Sequence, residues 1–476
     1  MSMTNTRTLG VVALLGLVLA AVSAPAQQIL YTFVGPPDDA GGPSAPGVIA
    51  QGRDGNFYST TLYGGSANCG TIFKLTPAGS LTLLWSFPCA HPAHPLGGLT
   101  LGTDGNFYGT ASDFCYGSFS DLCLSNYGNG SIFKISPSGT VPTTLHSFDN
   151  NDGAYPEAPP VQATDGNFYG TTSQGGVNNL GTVYKITPSG TFTSLYSFDG
   201  THGAIPTTPL VLGSDGNLYG TTGFGGNGSC NCGTVFKIST KGKLTSLYSF
   251  DGILAENPGS ALIQANNGDF YGTTIGNTSA TSCANGACGT LYQITSQGKF
   301  SVVHALSQAD GAYFPVAGVV LGSDGNFYGV SPHAAFNLAV FYRITPTGVF
   351  TELGVLGVNS DPQVTPIQHT NGILYGEDYA GGGAGYGEFY SVNQSLKSFA
   401  ALVPSAGKVG KTIGILGHGL KGATAVSFNG TLATTFTIKS STFLEATVPT
   451  GATTGKVTVT FPKSKLTSKV NFQVLP

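Results

Sequence analysis

Asp165-Gly166-Asn167-Phe168-Tyr169-Gly170-Thr171 is one of seven copies of a short motif spread along this 476-residue chain. The copies, of which the fifth and the seventh are degraded, begin at Asp54, Asp104, Asp165, Asp215, Asn267, Asp324 and Asn371. Successive copies start 50, 61, 50, 52, 57 and 47 residues apart. A repeat with this period predicts a propeller or a solenoid.

Each motif lies inside a longer unit, most regular between Pro209 and Phe250, that predicts four short strands. Val, Ile, Phe, Tyr and Thr dominate the strands, and Gly, Asn, Asp and Pro separate them. Asp-Gly-Asn is typical of a tight hairpin turn, because Asp and Asn tolerate left-handed backbone and Gly adopts it freely. Neighbours such as Phe168 and Tyr169 point to opposite faces of a strand, so both faces must be covered. Blades packed radially against one another provide that cover.

The two ends of the repeat array predict a closed ring. Residues 28–33 match the fourth strand of a unit and precede the first complete unit, whereas the seventh unit, which ends near Asn393, lacks a fourth strand. We therefore expect the N-terminal strand to complete the last blade, which removes the exposed edges of an open array. The interpretation is a seven-bladed β-propeller, with an open solenoid as the weaker alternative.

Composition divides the chain into three parts. Residues 1–26 contain one charge, Arg7, then an apolar run and Ala24-Pro25-Ala26, which is typical of a secretory signal peptide. Residues 27–397 carry 10 basic and 22 acidic residues, whereas the chain from Ser398 carries eight Lys and one acid, Glu445. This asymmetry predicts a domain boundary. Only 9% of residues are charged and 71 are Gly, which excludes an ordinary helical enzyme.

The repeat units resemble a known family of tandem repeats. Residues 165–200, with DGNFYGTT followed by GTVYKITPSGTFTSLYSFDG, resemble the GloVer repeats of secreted bacterial proteins called choice-of-anchor tandem repeat GloVer-containing proteins. The resemblance extends over nearly all of residues 27–393 and implies no established activity. More distantly, residues 215–219 and Lys237-Ile238 are similar to repeats of streptogramin lyase and other NHL-like propellers. The blade framework of these propellers matches this sequence, but the catalytic residues of the lyase do not. No catalytic residue is therefore assigned.

The chain from Ser398 to Pro476 resembles an IPT/TIG domain, an immunoglobulin-like β-sandwich common in bacterial surface proteins. The matching segments are Val403-Pro404-Ser405, Gly407, residues 412–419, residues 425–428, Val448-Pro449 and residues 451–455. The expected organisation is all-β, with a signal peptide over residues 1–26, a propeller over 27–397 and a sandwich over 398–476. The lysines of the sandwich are expected either to be solvated or to bind anionic surface polymers.

Function is expected where the chain departs from its repeat, since a residue found in every blade is most simply scaffold. The long second-to-third and blade-to-blade loops share one face of the disc and hold most of the irregular sequence. The ligand-binding candidates on this face are His91, His94, Asp149, Asp152, Glu157, Glu256 and Asp310.

These candidates do not complete a recognised catalytic or metal-binding motif. His91 and His94 have the spacing of two metal ligands, but a solvated loop pair is favoured because no third ligand is near in sequence. Asp149 and Asp152 resemble part of a calcium loop that lacks its terminal acid. The sequence predicts no metal and no cofactor, and it contains no Gly-x-Ser-x-Gly nucleophile motif.

Three functions remain open. The first is a monomeric, non-catalytic secreted protein that binds an extracellular polysaccharide or surface polymer. The second is an extracellular lyase or hydrolase with carboxylates such as Glu157, Glu256 or Asp310 at the propeller mouth. The third is an envelope or matrix component. The acidic propeller argues against nucleic acid as a partner. We expect no transmembrane segment after signal removal, and release to the periplasm or medium.

The eight cysteines predict disulfides, because an even count in an exported chain favours bonded over free thiols. The expected pairs are Cys69–Cys89 across the hairpin of blade one, Cys115–Cys123 in blade two and Cys283–Cys288 in blade five. Cys230 and Cys232 lie two residues apart, so their bond would be strained, or the thiols would be open or redox-active. Zinc binding is the rival interpretation, disfavoured because the cysteines are dispersed.

Overall fold

The computed structural model describes residues 27–36, 39–43, 47–89, 93–113, 128–228, 230–253, 255–276, 288–332, 338–357 and 360–475. These residues form β-strands, turns and loops, with two short 3-10 helices at Gln308–Asp310 and Leu420–Gly422. In this part of the chain, no helix is long and apolar enough to cross a membrane. The all-β class predicted from the repeat is confirmed.

Seven antiparallel sheets, numbered here 1 to 7 along the chain, occupy the described part of residues 27–392. Sheet 1 consists of the strands Ala50–Gln51, Phe57–Thr61, Thr71–Leu75 and Leu81–Ser86. Sheet 2 consists of Leu99–Leu101, Phe107–Ala111, Ser131–Ile135 and Thr143–Ser147. Sheet 3 consists of Val161–Gln162, Phe168–Thr172, Thr182–Ile186 and Phe192–Ser197. The strands of sheets 4 and 5 are Val211–Leu212, Leu218–Thr222, Thr234–Ile238 and Leu244–Ser249; and Ile263–Gln264, Phe270–Gly276, Thr290–Ile294 and Phe300–Ala305. Those of sheets 6 and 7 are Val319–Leu321, Phe327–Pro332, Ala339–Ile344 and Phe350–Leu356; and Ile367–Gln368, Leu374–Asp378, Glu388–Val392 and Gln27–Thr32.

Short additional strands extend this pattern. Glu256–Pro258 pairs with the second strand of sheet 5, and Ala40–Gly41 pairs with Tyr63–Gly64. Four-stranded sheets that pack side by side are what a propeller-like fold requires, because each apolar sheet is then covered on both faces.

The Asp-Gly-Asn motif forms the turn between the first and second strands of a sheet. In sheet 3, the Asp165 carboxylate accepts hydrogen bonds from the Asn167 backbone N–H at 3.1 Å and from the Tyr169 hydroxyl at 2.7 Å. The same Asp-to-Tyr bond recurs at 2.8 to 2.9 Å in sheets 1, 2, 4 and 6. Gly166 has a φ of +83°, which a residue with a side chain rarely adopts. The motif therefore ties each turn to the core of its sheet.

Aromatic contacts join neighbouring sheets. Tyr108 of sheet 2 stacks on Phe168 of sheet 3 with ring centroids 3.8 Å apart. The equivalent contact between Tyr219 and Phe270 joins sheets 4 and 5 at 3.9 Å. These rings are almost fully buried. The hydroxyl of the motif tyrosine thus holds the turn, and its ring packs against the next sheet.

The N-terminal strand joins the two ends of the array. Gln27–Thr32 pairs antiparallel with Glu388–Val392, the third strand of sheet 7. The residue that follows, Phe33, is fully buried and lies 5.6 Å from Phe73 of sheet 1, between ring centroids. Sheets 1 and 7 also meet directly, since Phe57 lies 4.5 Å from Tyr375. We call this contact between the first and last sheets the seam.

The C-terminal region forms two further four-stranded sheets around a separate core. Their strands are Ala401–Val403, Thr412–Leu416, Phe443–Thr447 and Phe436–Ile438 in one sheet, and Thr431–Leu432, Ala425–Phe428, Val457–Thr460 and Lys465–Thr467 in the other, with Ala406–Lys408 and Gln473–Leu475 as a parallel pair. These sheets lie against the tight-turn side of the array. The Thr442 hydroxyl donates to the Arg53 carbonyl at 2.7 Å, and the Arg53 guanidinium lies 4.5 Å above the Phe443 ring.

Phe33→Ala should destabilise the protein by about 3 to 5 kcal/mol, because it leaves a cavity at the seam where the first and last sheets meet. Chemical denaturation followed by intrinsic fluorescence measures the change. Val34→Ala is the matched control, since this neighbouring side chain is 60% exposed and should have little effect. Equal stability of the two variants would show that the seam does not depend on the N-terminal segment.

Candidate functional site

The two predicted histidines do not form a described metal site. His91 lies outside the described residues. His94 is mostly buried, with its Nδ1 3.3 Å from the Leu62 carbonyl oxygen, and burial lowers its pKa. Within the described ranges, no group of three or more His, Cys, Asp or Glu side chains is arranged to hold a metal ion.

Asp152 and Asp310 occupy equivalent scaffold positions. The Asp152 carboxylate lies 2.8 Å from His146 Nε2, and the Asp310 carboxylate lies 3.3 Å from His304 Nε2. In each pair the histidine lies on a fourth strand and the acid in the link that follows. Because the arrangement occurs in both sheets 2 and 5, the simpler interpretation is that each pair holds the link to the next sheet in place. Asp149 accepts from the Asp152 backbone N–H at 3.1 Å and shapes the same loop.

The two glutamates lie in separate links between sheets. Glu157 is half-buried between sheets 2 and 3, and burial raises its pKa to about 7, an effect that the Ser173 hydroxyl opposes. Glu256 lies between sheets 4 and 5, with Oε2 3.9 Å from Cys232 Sγ. No described hydrogen bond connects either glutamate to Asp310, so convergence of these acids at one site stays a prediction.

The cysteines test the predicted register. Cys69 is bonded to Cys89, as the hairpin of sheet 1 predicts. Cys230 and Cys232 are also bonded to each other, which is one of the alternatives left open by their spacing. The pair Cys115–Cys123 and the residue Cys283 lie outside the described residues. Cys288 is itself in a disulfide.

Sheet 7 departs from the repeat at a position that holds a pair of threonines in sheets 1, 3, 4 and 5. At the long-loop ends of the second and third strands, four sheets carry facing threonines whose hydroxyls lie 2.7 to 2.9 Å apart. These pairs are Thr61 and Thr71, Thr172 and Thr182, Thr222 and Thr234, and Thr274 and Thr290. In sheet 7 the facing residues are Asp378 and Glu388. Two acids therefore replace two hydroxyls that bond to each other.

Asp378 is held in place by donors from the link between sheets 6 and 7. Its carboxylate accepts from the Ser360 hydroxyl and, at 2.7 Å, from the Asp361 backbone N–H. Burial nevertheless raises the pKa of Asp378, and burial together with the nearby Asp378 charge raises that of Glu388. The two carboxyl groups converge at Gly381, where an added methyl group would collide with Asp378 Oδ2 and lie 3.5 Å from Glu388 Oε2.

Glu377 is a second departure in the same strand. In sheets 1 to 5 this position is a threonine, and in sheets 2, 3 and 5 it donates to the link entering the next sheet, as Thr273 does to the Pro315 carbonyl at 2.9 Å. Glu377 is fully buried and accepts from the Ser59 hydroxyl of sheet 1 at 3.2 Å. Its Oε1 has no hydrogen-bond partner in the structure. Burial raises its pKa to about 8, so the group is mostly protonated at neutral pH.

Three half-buried tyrosines lie next to these strands: Tyr379 follows Asp378, Tyr386 lies two residues before Glu388, and Tyr63 contacts Tyr379. Tyr63 and Tyr379 share a hydrogen bond between their hydroxyls, and a methyl group on Gly42 would lie 3.2 to 3.3 Å from both rings. The Tyr386 ring covers Gly35, where no side chain would fit. We call this group the seam site and define it as Glu377, Asp378, Glu388, Tyr63, Tyr379 and Tyr386.

The seam site was missed by sequence reasoning, although a signal for it exists. Gly376-Glu377-Asp378-Tyr379 stands where sheets 3, 4 and 5 have Gly-Thr-Thr, and Gly387-Glu388 stands where sheets 1, 3, 4 and 5 have Gly-Thr at the third strand. The search for departures was directed at loops, whereas these acids lie inside strands. Loop length does not reveal such a site.

Comparison with known proteins identifies the repeat. A family described as the Gloeobacter/Verrucomicrobia repeat matches residues 45–284, just over half of the chain. The chain belongs to this repeat family. The expected membership of a GloVer-type repeat family is thus confirmed for residues 45–284. No curated protein sequence matches the chain.

Solved structures offer distant likenesses. A candidate 6-phosphogluconolactonase from Bacteroides uniformis is 15% identical, with a TM-score of 0.44 over 67% of this chain and 90% of that one. A protein of unknown function from Bacteroides thetaiotaomicron is 14% identical, with a TM-score of 0.39 over 68% and 82% of the two chains. A gluconolactonase from Xanthomonas campestris is 10% identical, with a TM-score of 0.37 over 68% and 89%. Likenesses this distant do not bear on activity.

Glu377→Gln should flatten the dependence of the melting temperature on pH. The pKa of Glu377 is about 8 in the folded chain, against about 4.3 when unfolded, so the folded state binds the extra proton between these values. Stability from this group is therefore present at low pH and is lost as pH rises towards 8. Melting temperatures measured from pH 5 to pH 9 test this.

The exposed acid Glu352 of sheet 6 supplies the matched control. Glu352→Gln should leave the slope of melting temperature against pH unchanged, whereas Glu377→Gln should reduce it. A Glu377→Gln variant with the wild-type slope would contradict the burial of an uncompensated carboxyl group at the seam.

Proposed function

We propose that the chain is a secreted, non-catalytic binding protein built on a closed seven-bladed propeller. The seven sheets with one motif and the pairing of Gln27–Thr32 with Glu388–Val392 support a closed ring. A disulfide between Cys69 and Cys89 and the apolar leader in the sequence support export to the periplasm or medium.

The C-terminal region is proposed to be an immunoglobulin-like sandwich of the IPT/TIG type. Two four-stranded sheets enclose the fully buried side chains of Phe428, Leu444, Val457 and Phe472, which supports sheet-on-sheet packing. Its contact through Arg53 and Thr442 leaves the long-loop face of the propeller free for a ligand.

We propose the seam site as the ligand site of the propeller. The observation that carries this proposal is the replacement of the repeated threonine pair by Asp378 and Glu388 beside half-buried tyrosines. Replacing hydroxyls that bond each other with two nearby carboxyl groups costs stability, since like charges at short distance disfavour ionisation of both. A feature that opposes stability and breaks the repeat is expected to serve function.

The chemistry of the seam site favours a neutral saccharide. Carboxylates accept hydrogen bonds from sugar hydroxyls, and they repel anions. Tyr63, Tyr379 and Tyr386 present rings with hydroxyl tips, which combine an apolar face with a hydrogen-bonding group. A neutral, hydroxyl-rich ligand uses both features without a metal or a cofactor.

A glycan array screened with residues 27–476 should identify neutral oligosaccharides as ligands, and calorimetry should then measure their affinity. Glu388→Gln and Tyr379→Ala should each weaken binding by about tenfold or more, since each removes a half-buried hydrogen-bonding or stacking partner worth about 1.5 to 3 kcal/mol. Asp199→Asn is the control, because this carboxylate lies on the link between sheets 3 and 4 and bonds His202.

Mass detection on the same mixtures separates the proposal from its alternative. An extracellular hydrolase or lyase is favoured by Glu157 and Glu377, whose raised pKa values of about 7 and about 8 suit a proton donor at neutral pH. Cleaved saccharide that disappears in Glu157→Gln or Glu377→Gln would establish that enzyme. Binding unchanged in both seam variants, or no glycan bound at all, would exclude the seam site as a saccharide site.

A further inference from the structure

A cavity lies between the propeller and the C-terminal sheets, on the side opposite the long loops. Its volume is about 390 Å3, within the range of small-molecule sites. One wall consists of residues from the first strands of sheets 4, 5 and 6, including the half-buried Val211, Ile263 and Val320. The other wall is the C-terminal segment from Lys469 to Gln473. Both domains are therefore needed to form it.

One lysine lines this cavity and a second, Lys456, contacts its lining residues, and neither has an acidic partner within the described residues. Lys469 lines it, and its ammonium group lies 4.7 Å above the Phe399 ring. The Lys456 ammonium donates to the side chain of the lining residue Asn266 at 2.7 Å and to the Lys469 carbonyl at 2.6 Å. No salt bridge of either lysine to an Asp or Glu occurs within the described residues.

Burial lowers the pKa of both groups, that of Lys469 to about 8. Two half-buried positive charges opposed only by an aromatic face and neutral oxygens are costly, and an anion restores the balance. The nearby amides of Gln264, Asn266 and Asn471 add hydrogen-bonding groups for such a ligand. Most other lysines of this region are exposed, so the pair is distinct from a solvated basic surface.

We propose that this interdomain cavity binds a small organic carboxylate, with its carboxylate group at Lys469 and Lys456 and its apolar body against Val211, Ile263 and Val320. The volume admits a molecule the size of a benzoate or a short fatty acid. Because sheets 4 to 6 and the C-terminal sheets both contact the ligand, occupancy should tie the two domains together.

The test uses the full mature chain, residues 27–476, with hexanoate and benzoate as probes and benzamide as the uncharged analogue. In the wild-type protein, NMR of the lysine side-chain nitrogens should show that the pKa of Lys469 rises from about 8 when either carboxylate is added. Benzamide should leave this pKa unchanged. Calorimetry should show carboxylate binding at pH 7. This binding should weaken as the pH rises above about 8, because Lys469 then loses its positive charge.

Lys469→Met should weaken carboxylate binding by roughly ten- to a hundredfold, since it removes a charged hydrogen-bond donor and keeps the apolar stem. Lys463→Met is the matched control, because Lys463 is an exposed lysine of the same region. Equal binding of benzoate and benzamide, carboxylate binding retained in Lys469→Met, or no response of the Lys469 resonance to either carboxylate would each overturn the proposal. The resonance measurement needs no variant, so a misfolded variant does not leave the proposal untested.

Discussion

The hydrogen bond from the motif tyrosine to the motif aspartate is the interaction on which the propeller-like array depends. In sheet 3 the Asp165 carboxylate accepts from the Asn167 backbone and side chain and from the Tyr169 hydroxyl. The turn is thereby fixed to a buried tyrosine ring. In sheet 2 the equivalent ring, that of Tyr108, stacks on Phe168 of the next sheet. A short local sequence thus determines both a turn and a packing contact between sheets.

The degraded copies show that the bond matters more than the residue that makes it. In sheets 5 and 7 the turn begins with Asn267 and Asn371 rather than Asp, and each amide donates to its tyrosine hydroxyl, at 3.1 and 3.0 Å. The tyrosine changes from donor to acceptor. The contact survives, because a hydroxyl group can do both.

Local features of the fold were predictable because they follow from short-range chemistry. The turns, the four-strand units and the pairing of Cys69 with Cys89 all rest on residues less than about two strands apart, where hairpin geometry fixes what meets. The seam site was not found, because it requires knowing that Asp378 faces Glu388 across one strand pair and that Ser59 from the opposite end of the array reaches Glu377. The contact of Thr442 with Arg53 spans 389 residues, and no local pattern predicts it.

We propose that the acids at the seam are kept for function against the stability of the repeat. A chain carrying Glu377→Thr, Asp378→Thr and Glu388→Thr together introduces the threonines found in sheets 1, 3, 4 and 5. The melting temperature of this triple variant, measured near pH 8, is predicted to rise above that of the wild type while saccharide binding is lost. A lower melting temperature, which would show that the acids stabilise the seam, would contradict the account.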